Sequence, residues 1–292
     1  MEQFFKYVNP GKEDKEWGLY VNCVGKADIK PGVVYPPIEH PTGYYFKYEH
    51  GRVLYEYQIN YITGGSGIFE DKGGIQKFNP GSLIFIKPGE WHRYRPLKNG
   101  GYMEHYVGFF GYTPNLIFGS SWFKQRGAVV EVGHREEIID IYYTIFREVQ
   151  EEKPGYQQVV SGMVLKLLGL IVSLEKRKSF SGKPIEKIIQ NACFLIRENV
   201  ETEINFKDFA EENNIGYSYF RKSFKQYTGI PPAQYHLNLK VLRAKEMLLY
   251  SNKSVKEISY DLGFNSVSYF CRIFKVKQGV SPTGIRHKPN VI

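Results

Sequence analysis

The sequence predicts an α+β chain of two domains. An N-terminal β-barrel of the jelly-roll type, carrying a helical hairpin, spans residues 1–182. An all-α domain with a doubled helix-turn-helix spans 183–292. Three observations predict this. Apolar and polar residues alternate with period 2 in short segments from about residue 20 to 130, between closely spaced Gly, Pro and Asn turns. The period changes to 3.6 near residue 135. A segment near residue 218 then recurs near residue 268.

In chain order, residues 1–20 are polar around Pro10-Gly11 and predict a mobile arm. Short strands are expected at Tyr20–Val24, Tyr44–Tyr48, Val53–Thr63, Gly67–Glu70, Gly74–Phe78, Ser82–Ile86 and Tyr102–Phe110. Turns such as Gly64-Gly65, Asn79-Pro80-Gly81 and Pro88-Gly89 separate them, a spacing suited to a barrel or jelly roll. Ile138, Ile141, Tyr142, Ile145, Phe146 and Val149 then recur at helical spacing, so 135–152 is an amphipathic helix ended by Lys153-Pro154-Gly155. A second helix, 156–178, is apolar on more than one face, which suits packing on the barrel and against a second copy of the chain. Its most apolar run, Val159 to Leu174, carries Lys166 and is shorter than a membrane span needs, so it reads as a buried helix. Ser179 to Pro184 is a linker by its small, polar and Gly/Pro content.

Composition narrows the class. Hydrophobic residues make up 42% and charged residues 24%, which excludes a disordered or collagen-like chain. Three widely separated cysteines, Cys23, Cys193 and Cys271, exclude a disulfide framework and a zinc ribbon. The opening MEQFFKYVNPGKED lacks the pattern of a signal peptide, so a cytoplasmic protein is expected. The net charge of +9 is uneven. Residues 183–292 carry 17 Lys and Arg against 10 Asp and Glu, while residues 1–182 carry 22 against 20. A basic domain joined to a near-neutral one suggests a nucleic-acid-binding half.

The repeat sharpens that reading. SYFRKSFKQYTGIPP (218–232) and SYFCRIFKVKQGVSP (268–282) superpose with a shift of 50 residues. Each is a helix with Phe at i and i+4 on its buried side. The exposed side of the first bears Ser218, Arg221, Lys222 and Lys225; that of the second bears Val267, Ser268, Arg272 and Lys275. Each is preceded by a shorter helix, Phe206–Glu212 or Val255–Leu262, in which Ala210 and Ser259 are small enough for a close crossing. Turns containing Gly216 and Gly263 follow. This is the helix-turn-helix plan, in which the second helix enters the major groove and Arg and Lys reach guanine edges or phosphates. The connector, PAQYHLNLKVLRAKEMLLY (232–250), is one helix about 28 Å long, near the ~34 Å between successive major grooves on one DNA face. Both reading helices can then engage adjacent grooves of an asymmetric site.

The C-terminal 100 residues resemble the AraC/XylS family of transcription regulators. The resemblance lies in Ile258, Gly263-Phe264, Ser268-Tyr269-Phe270, Arg272, Phe274-Lys275, Gly279, Pro282 and Arg286, with Ala244 and Leu248 in the connector. Lys240 stands where an Arg is common. It implies that Ser218, Lys222, Val267, Ser268 and Arg272 face base edges, with Arg221, Lys225, Ser266 and Lys275 completing the interface. Val267 offers only apolar contact, for example to a thymine methyl.

The N-terminal segments INYITGGSG, FNPGSLIFIKPGEWHRYRP and GGYMEHYVGFFG resemble the cupin-type ligand-binding domain of sugar-responsive members of that family. Gly81, Gly89 and His92 fall at the spacing of the second cupin motif. No His-x-His with Glu precedes them, and one His does not make a metal site, so no metal and no cofactor are expected. The resemblance implies a ligand site at Thr63, His92, Tyr94 and Tyr102, with aromatic faces for sugar rings. A sugar-binding Arg of the family is replaced by Thr63-Gly64, which argues against arabinose.

The expected protein is a dimeric, ligand-responsive regulator, an activator that binds promoter DNA and contacts RNA polymerase. It is not an enzyme. The alternative is a ligand-independent regulator whose barrel serves only dimerisation. A cupin enzyme with an accessory DNA domain would need the missing metal ligands. An alkyl-transfer repair regulator would need a reactive Cys in a metal site, and Cys23 stands alone.

Overall fold

The computed structural model describes residues 4–32, 46–98 and 100–286. They form two compact units, Met1–Glu175 and Lys176–Ile292. The first contains, in order, β1 (Phe4–Tyr7), α1 (Lys12–Glu16), β2 (Tyr20–Ile29), β3 (Arg52–Val53), β4 (Tyr57–Gly65), β5 (Gly67–Asp71), β6 (Gly74–Phe78), β7 (Ser82–Ile86), β8 (Trp91–Pro96) and β9 (Tyr102–Phe110). It continues through α2 (Tyr112–Phe118), α3 (Ser121–Lys124), β10 (Val129–Glu131), α4 (Glu136–Glu151) and α5 (Tyr156–Lys178). Two antiparallel sheets result, ordered β1-β2-β9-β4-β7-β10 and β3-β8-β5-β6.

Strand alternation gives the larger sheet two apolar faces. Tyr57, Ile59 and Tyr61 of β4 and Val107 and Phe109 of β9 join the core under the helices, with Ile141, Tyr142, Ile145, Val164 and Ile171. The intervening Ile62 and Tyr102 join Cys23, Phe69, Phe78, Ile84 and Tyr94 in a second core, the barrel interior.

The helical hairpin matches its periodicity: all six apolar positions noted on α4 are buried. By length and composition α5 could cross a membrane, with a mean hydropathy of 1.6 over its most apolar 18 residues. It instead seats Val160, Val164, Leu167, Leu168 and Ile171 in the sheet core. The Gln157 amide exchanges two 3.0 Å hydrogen bonds with the backbone of Val21, and the Ser161 hydroxyl donates to the Leu19 carbonyl at 2.7 Å.

Four expectations need correction. The N-terminal arm is not mobile: Phe4–Tyr7 pairs with Cys23–Lys26. The Phe4 ring lies 5.2 Å from Phe146, and the Lys6 ammonium binds Glu152 at 3.0 Å and the Val149 carbonyl at 2.8 Å. The polar stretch 9–16 masked a four-residue strand whose aromatic side chains gain burial. The strand expected at Val53–Thr63 is two, because Leu54, Tyr55 and Glu56 carry the chain from the smaller sheet to the larger. Tyr44–Tyr48 is no strand over residues 46–48, and Tyr44 and Tyr45 lie outside the described residues. Strand β8 was missed because Arg93 and Arg95 interrupt its apolar character. Yet His92 and Tyr94, which alternate with these arginines, are buried, and Arg93 sits opposite Glu70 in register, with an ion pair at 2.8 Å.

The second unit contains α6 (Pro184–Glu198), α7 (Phe206–Glu212), α8 (Tyr217–Thr228), α9 (Pro232–Tyr250), α10 (Val255–Asp261), α11 (Val267–Gln278) and α12 (Pro282–Arg286). Its two repeats have separate cores. Ile189, Ile196, Phe206, Ala210, Phe220 and Phe224 fill the first, with Tyr235 and Leu239 of α9 packed on it. Ile258, Leu262, Phe264, Phe270, Phe274 and Ile285 fill the second, with Val241, Ala244 and Leu248 of α9. One connector therefore supplies a wall to each unit. Ala210 and Ser259 are fully buried at equivalent places, as the close crossings require. Both α8 and α11 end on a left-handed glycine, Gly229 and Gly279. The turns differ from expectation in one respect. Gly263 has φ +63° and its counterpart is Asn214 at φ +54°, whereas Gly216 is the extended N-cap of α8. Asn tolerates the left-handed region better than most side chains.

The barrel interior and the two recognition helices

The barrel interior is polar at its centre. From β3, the Arg52 guanidinium donates to His92 Nε2 at 3.1 Å and to the Tyr94 hydroxyl at 2.9 Å, both on β8. It lies 5.0 Å from the Phe46 ring centroid and 5.4 Å from that of Tyr94. His92 Nδ1 donates to the Glu90 carbonyl at 3.2 Å. That leaves Nε2 as the acceptor, so His92 is held neutral. Burial, with the Arg52 charge beside it, depresses its pKa to about 3.

Asn60 on β4 and Glu104 on β9 face each other, with Nδ2 donating to Oε2 at 2.9 Å. Both are buried. Burial pushes the Glu104 carboxyl up to about 7, against the opposing pull of the Asn60 hydrogen bond and the Arg52 charge. Asn60 Oδ1 has no hydrogen-bond partner among the described residues. An unmet buried acceptor is costly, and a ligand hydroxyl would satisfy it. Glu56 closes another side, receiving Asn22 Nδ2 at 2.8 Å and the Cys23 thiol at 3.3 Å. Gly108 makes room there: a Cβ would stand 2.4 Å from Glu56 and 2.5 Å from Cys23 Sγ.

Of the expected ligand residues, three come together. His92 stacks on Phe69 at 5.9 Å, and the Tyr94 ring lies 6.4 Å from those of His92 and Tyr102. Thr63 does not join them. It sits at a bulge of β4, its hydroxyl 3.5 Å from His105 Nδ1, and the His105 ring lies among Tyr142, Tyr143 and Phe146 of α4. The alternation that turns Ile62 inward turns Thr63 away. Arg52, Asn60 and Glu104 were missed, although a signal existed: Gln58 and Asn60 occupy alternate positions of an otherwise apolar strand, as Glu104 does in β9. Among the described residues, no cluster of His, Cys, Asp or Glu could hold a metal ion.

In the second unit, Ser218, Arg221, Lys222 and Lys225 are exposed on α8. Ser266, Ser268, Arg272 and Lys275 are exposed at and along α11, with Val267 partly so. Ser266 caps α11, its Oγ accepting from the Tyr269 amide at 3.3 Å. Arg272 lies 5.4 Å from the Tyr269 ring centroid. None of these five Arg and Lys side chains forms an ion pair with a described residue. Elsewhere in the same unit, Arg243 binds Glu201 and Glu246, and Lys253 binds Asp261 at 2.7 Å. Five cations without an ion pair to a described residue thus line the outer faces of α8 and α11. Lys240 is buried inside, 5.6 Å from the Phe264 ring centroid.

A polar-centred barrel followed by two helix-turn-helix units with uncompensated basic faces defines a transcription regulator with a ligand-binding domain. Comparison with known proteins agrees. Residues 31–167 match the family profile described as an AraC-like ligand binding domain, and residues 209–288 match a helix-turn-helix domain. The chain has the two-domain architecture of AraC-type transcription regulators, an AraC-like ligand binding domain followed by a helix-turn-helix domain. It is 29% identical to the HTH-type transcriptional activator RhaS of Salmonella schwarzengrund, over 84% of this chain and 89% of that one. It is 22% identical to the transcriptional activator RhaR of Mannheimia succiniciproducens, over 79% of this chain and 84% of the relative. It is also 22% identical to the arabinose operon regulatory protein of Escherichia coli K12, over 79% and 80%.

Proposed function

We propose that this protein is a cytoplasmic, homodimeric transcription activator that binds promoter DNA, contacts RNA polymerase and responds to a small polyhydroxylated ligand, a carbohydrate, in the barrel. The reading is carried by the barrel interior. Arg52, Asn60, His92, Tyr94 and Glu104 offer donors and acceptors beside the aromatic faces of Phe46, Phe69 and Tyr102. This mixture suits a ring with one apolar face and several hydroxyls. The resemblance implies Thr63 as a further ligand residue; its hydroxyl, 3.5 Å from His105 Nδ1, supports a role for it in the layer behind β4. Two relatives named as transcriptional activators support the sign of regulation, and one named as the arabinose operon regulatory protein supports the class of ligand. The half-exposed Val159 and Leu165 on α5 support a face for the second copy.

A thermal-shift screen against mono- and oligosaccharides tests the ligand. At 100 times its Kd a true ligand adds about 2.7 kcal/mol to the barrel, several degrees of melting temperature. A flat screen with DNA binding intact would favour the barrel that only dimerises.

On DNA, α8 would engage one major-groove segment through Ser218, Arg221, Lys222 and Lys225. The next would be met by α11 through Ser266, Val267, Ser268, Arg272 and Lys275. Arg272→Ala is expected to weaken specific binding by ~1–3 kcal/mol and relax preference at one base pair. Lys225→Ala is expected to lower affinity similarly on all sequences and reduce the salt slope by about 1. Gel-shift titrations at two salt concentrations separate the two. Equal specific and non-specific affinities of wild type and Arg272→Ala would remove that residue from the interface.

A further inference from the structure

We propose that a second small-molecule site, separate from the barrel interior, lies against α2 and α3, and that it takes a small organic anion with a flat apolar face. A cavity of about 300 Å³ opens there, at the lower end of the size of small-ligand pockets. Its aromatic walls, Phe85, Phe118, Trp122 and Phe123, belong to the helix-side core rather than to the barrel-interior core. Phe85 and the interior residues Ile84 and Ile86 alternate along β7, so the two sites are on opposite faces of one strand.

One polar group there lacks a hydrogen-bond partner, and one cation lacks a counter-ion, among the described residues. Trp122 Nε1 is buried and has no hydrogen-bond partner among the described residues. An indole N–H can only donate, so the group that completes it is an acceptor. The Arg126 guanidinium lies over the Trp122 ring, 3.8 Å from its centroid, and donates from Nη1 to the Trp122 carbonyl at 2.8 Å. It meets no carboxylate among the described residues. The two acids in the lining are already engaged: Glu90 with Lys87 at 3.8 Å, and Asp71 with the Gly73 amide at 2.8 Å. Arg126 is therefore the lining cation with charge and donors to offer, in the planar fork that fits a carboxylate or phosphate. Beside it the aromatic walls suit a flat apolar body, an aryl ring or the CH face of a sugar. Aryl carboxylates and sugar phosphates share this chemistry.

The test uses the full-length protein with benzoate, glucose-6-phosphate and inorganic phosphate, followed by calorimetry and tryptophan fluorescence. Saturable binding of at least one organic anion is expected, with inorganic phosphate at least about tenfold weaker because it lacks the apolar face. Arg126→Met is expected to raise Kd about tenfold or more. Trp122→Phe, which keeps a ring and removes the N–H, is expected to raise Kd severalfold and abolish the fluorescence change. Arg52→Met, which alters only the barrel interior, should leave binding unchanged. The proposal is overturned if no probe binds up to about 10 mM, the weak end of specific affinity. It is equally overturned if Arg126→Met binds like wild type, if Arg52→Met abolishes binding, or if inorganic phosphate binds as well as the organic anions.

Discussion

Phe270→Ala is expected to remove about 3–5 kcal/mol of stability from the second helix-turn-helix unit and to abolish specific DNA binding with it. Phe270 is fully buried, with its ring centroid 5.0 Å from Phe264 and 5.7 Å from Phe274. The core it anchors is small, and three of its residues, Val241, Ala244 and Leu248, are borrowed from α9. A loss of this size rivals the whole net stability of a small domain. The first unit has its own core around Phe220 and Phe224, so the damage should be local. Amide hydrogen exchange should rise through α10 and α11 while α6 and α7 stay protected. A destabilisation below about 1 kcal/mol would mean that Phe270 does not hold α11 in place.

Glu104 gives the second large effect, and it depends on pH. Its folded pKa, about 7, is above the ordinary 4.5 of a glutamate. The protonated carboxyl therefore stabilises the fold fully below about pH 4.5, and this contribution disappears as pH rises through 7. The difference corresponds to about 3 kcal/mol. His92 acts in the opposite sense. Its folded value of about 3 is below the ordinary 6.5, so its contribution is present above 6.5 and fades as pH falls towards 3. His105, depressed to about 4 by burial and the nearby Lys26, adds to that acidic limb. Glu104→Gln keeps an acceptor for Asn60 and removes the charge. It should stabilise the barrel by about 3 kcal/mol at pH 8, change little at pH 4.5, and leave the acidic limb intact. Denaturation midpoints at the two pH values measure this. An equal effect at both would show that Glu104 is already ionised across the range.

The hairpin helices α4 and α5 and the helices α7 to α11 of the repeat were legible to within a residue or two, because their determinants are local, whereas the short α1, α2 and α3 of the first unit were not read. The six apolar positions of α4, the Pro and Gly stops and the Phe pairs of the repeat lie within a few turns of one another, and helical hydrogen bonds close within four residues. The basic positions on α8 and α11 were legible for the same reason. Phe at i and i+4 fixes which side is buried, and the remaining side is solvent. Most strands were legible from period-2 alternation. Those that failed were short or charged: Phe4–Tyr7 within a polar arm, the three-residue Val129–Glu131, and Trp91–Pro96 with its arginines.

By itself, then, the sequence determined the division into a near-neutral β-rich part and a basic helical part, the doubled unit, and the faces of its reading helices. The tertiary structure decided what fills the barrel. Arg52, Asn60, His92 and Glu104 come from β3, β4, β8 and β9, which are distant in the chain, and sheet pairing between non-adjacent strands brings them together. It also decided that Thr63 faces away from them, because along β4 it shares the helix-side face of Tyr57, Ile59 and Tyr61. The physical reason is the same in both cases. Strand hydrogen bonds are made to partners that the local sequence does not contain, so facing and convergence are settled only when the sheets close.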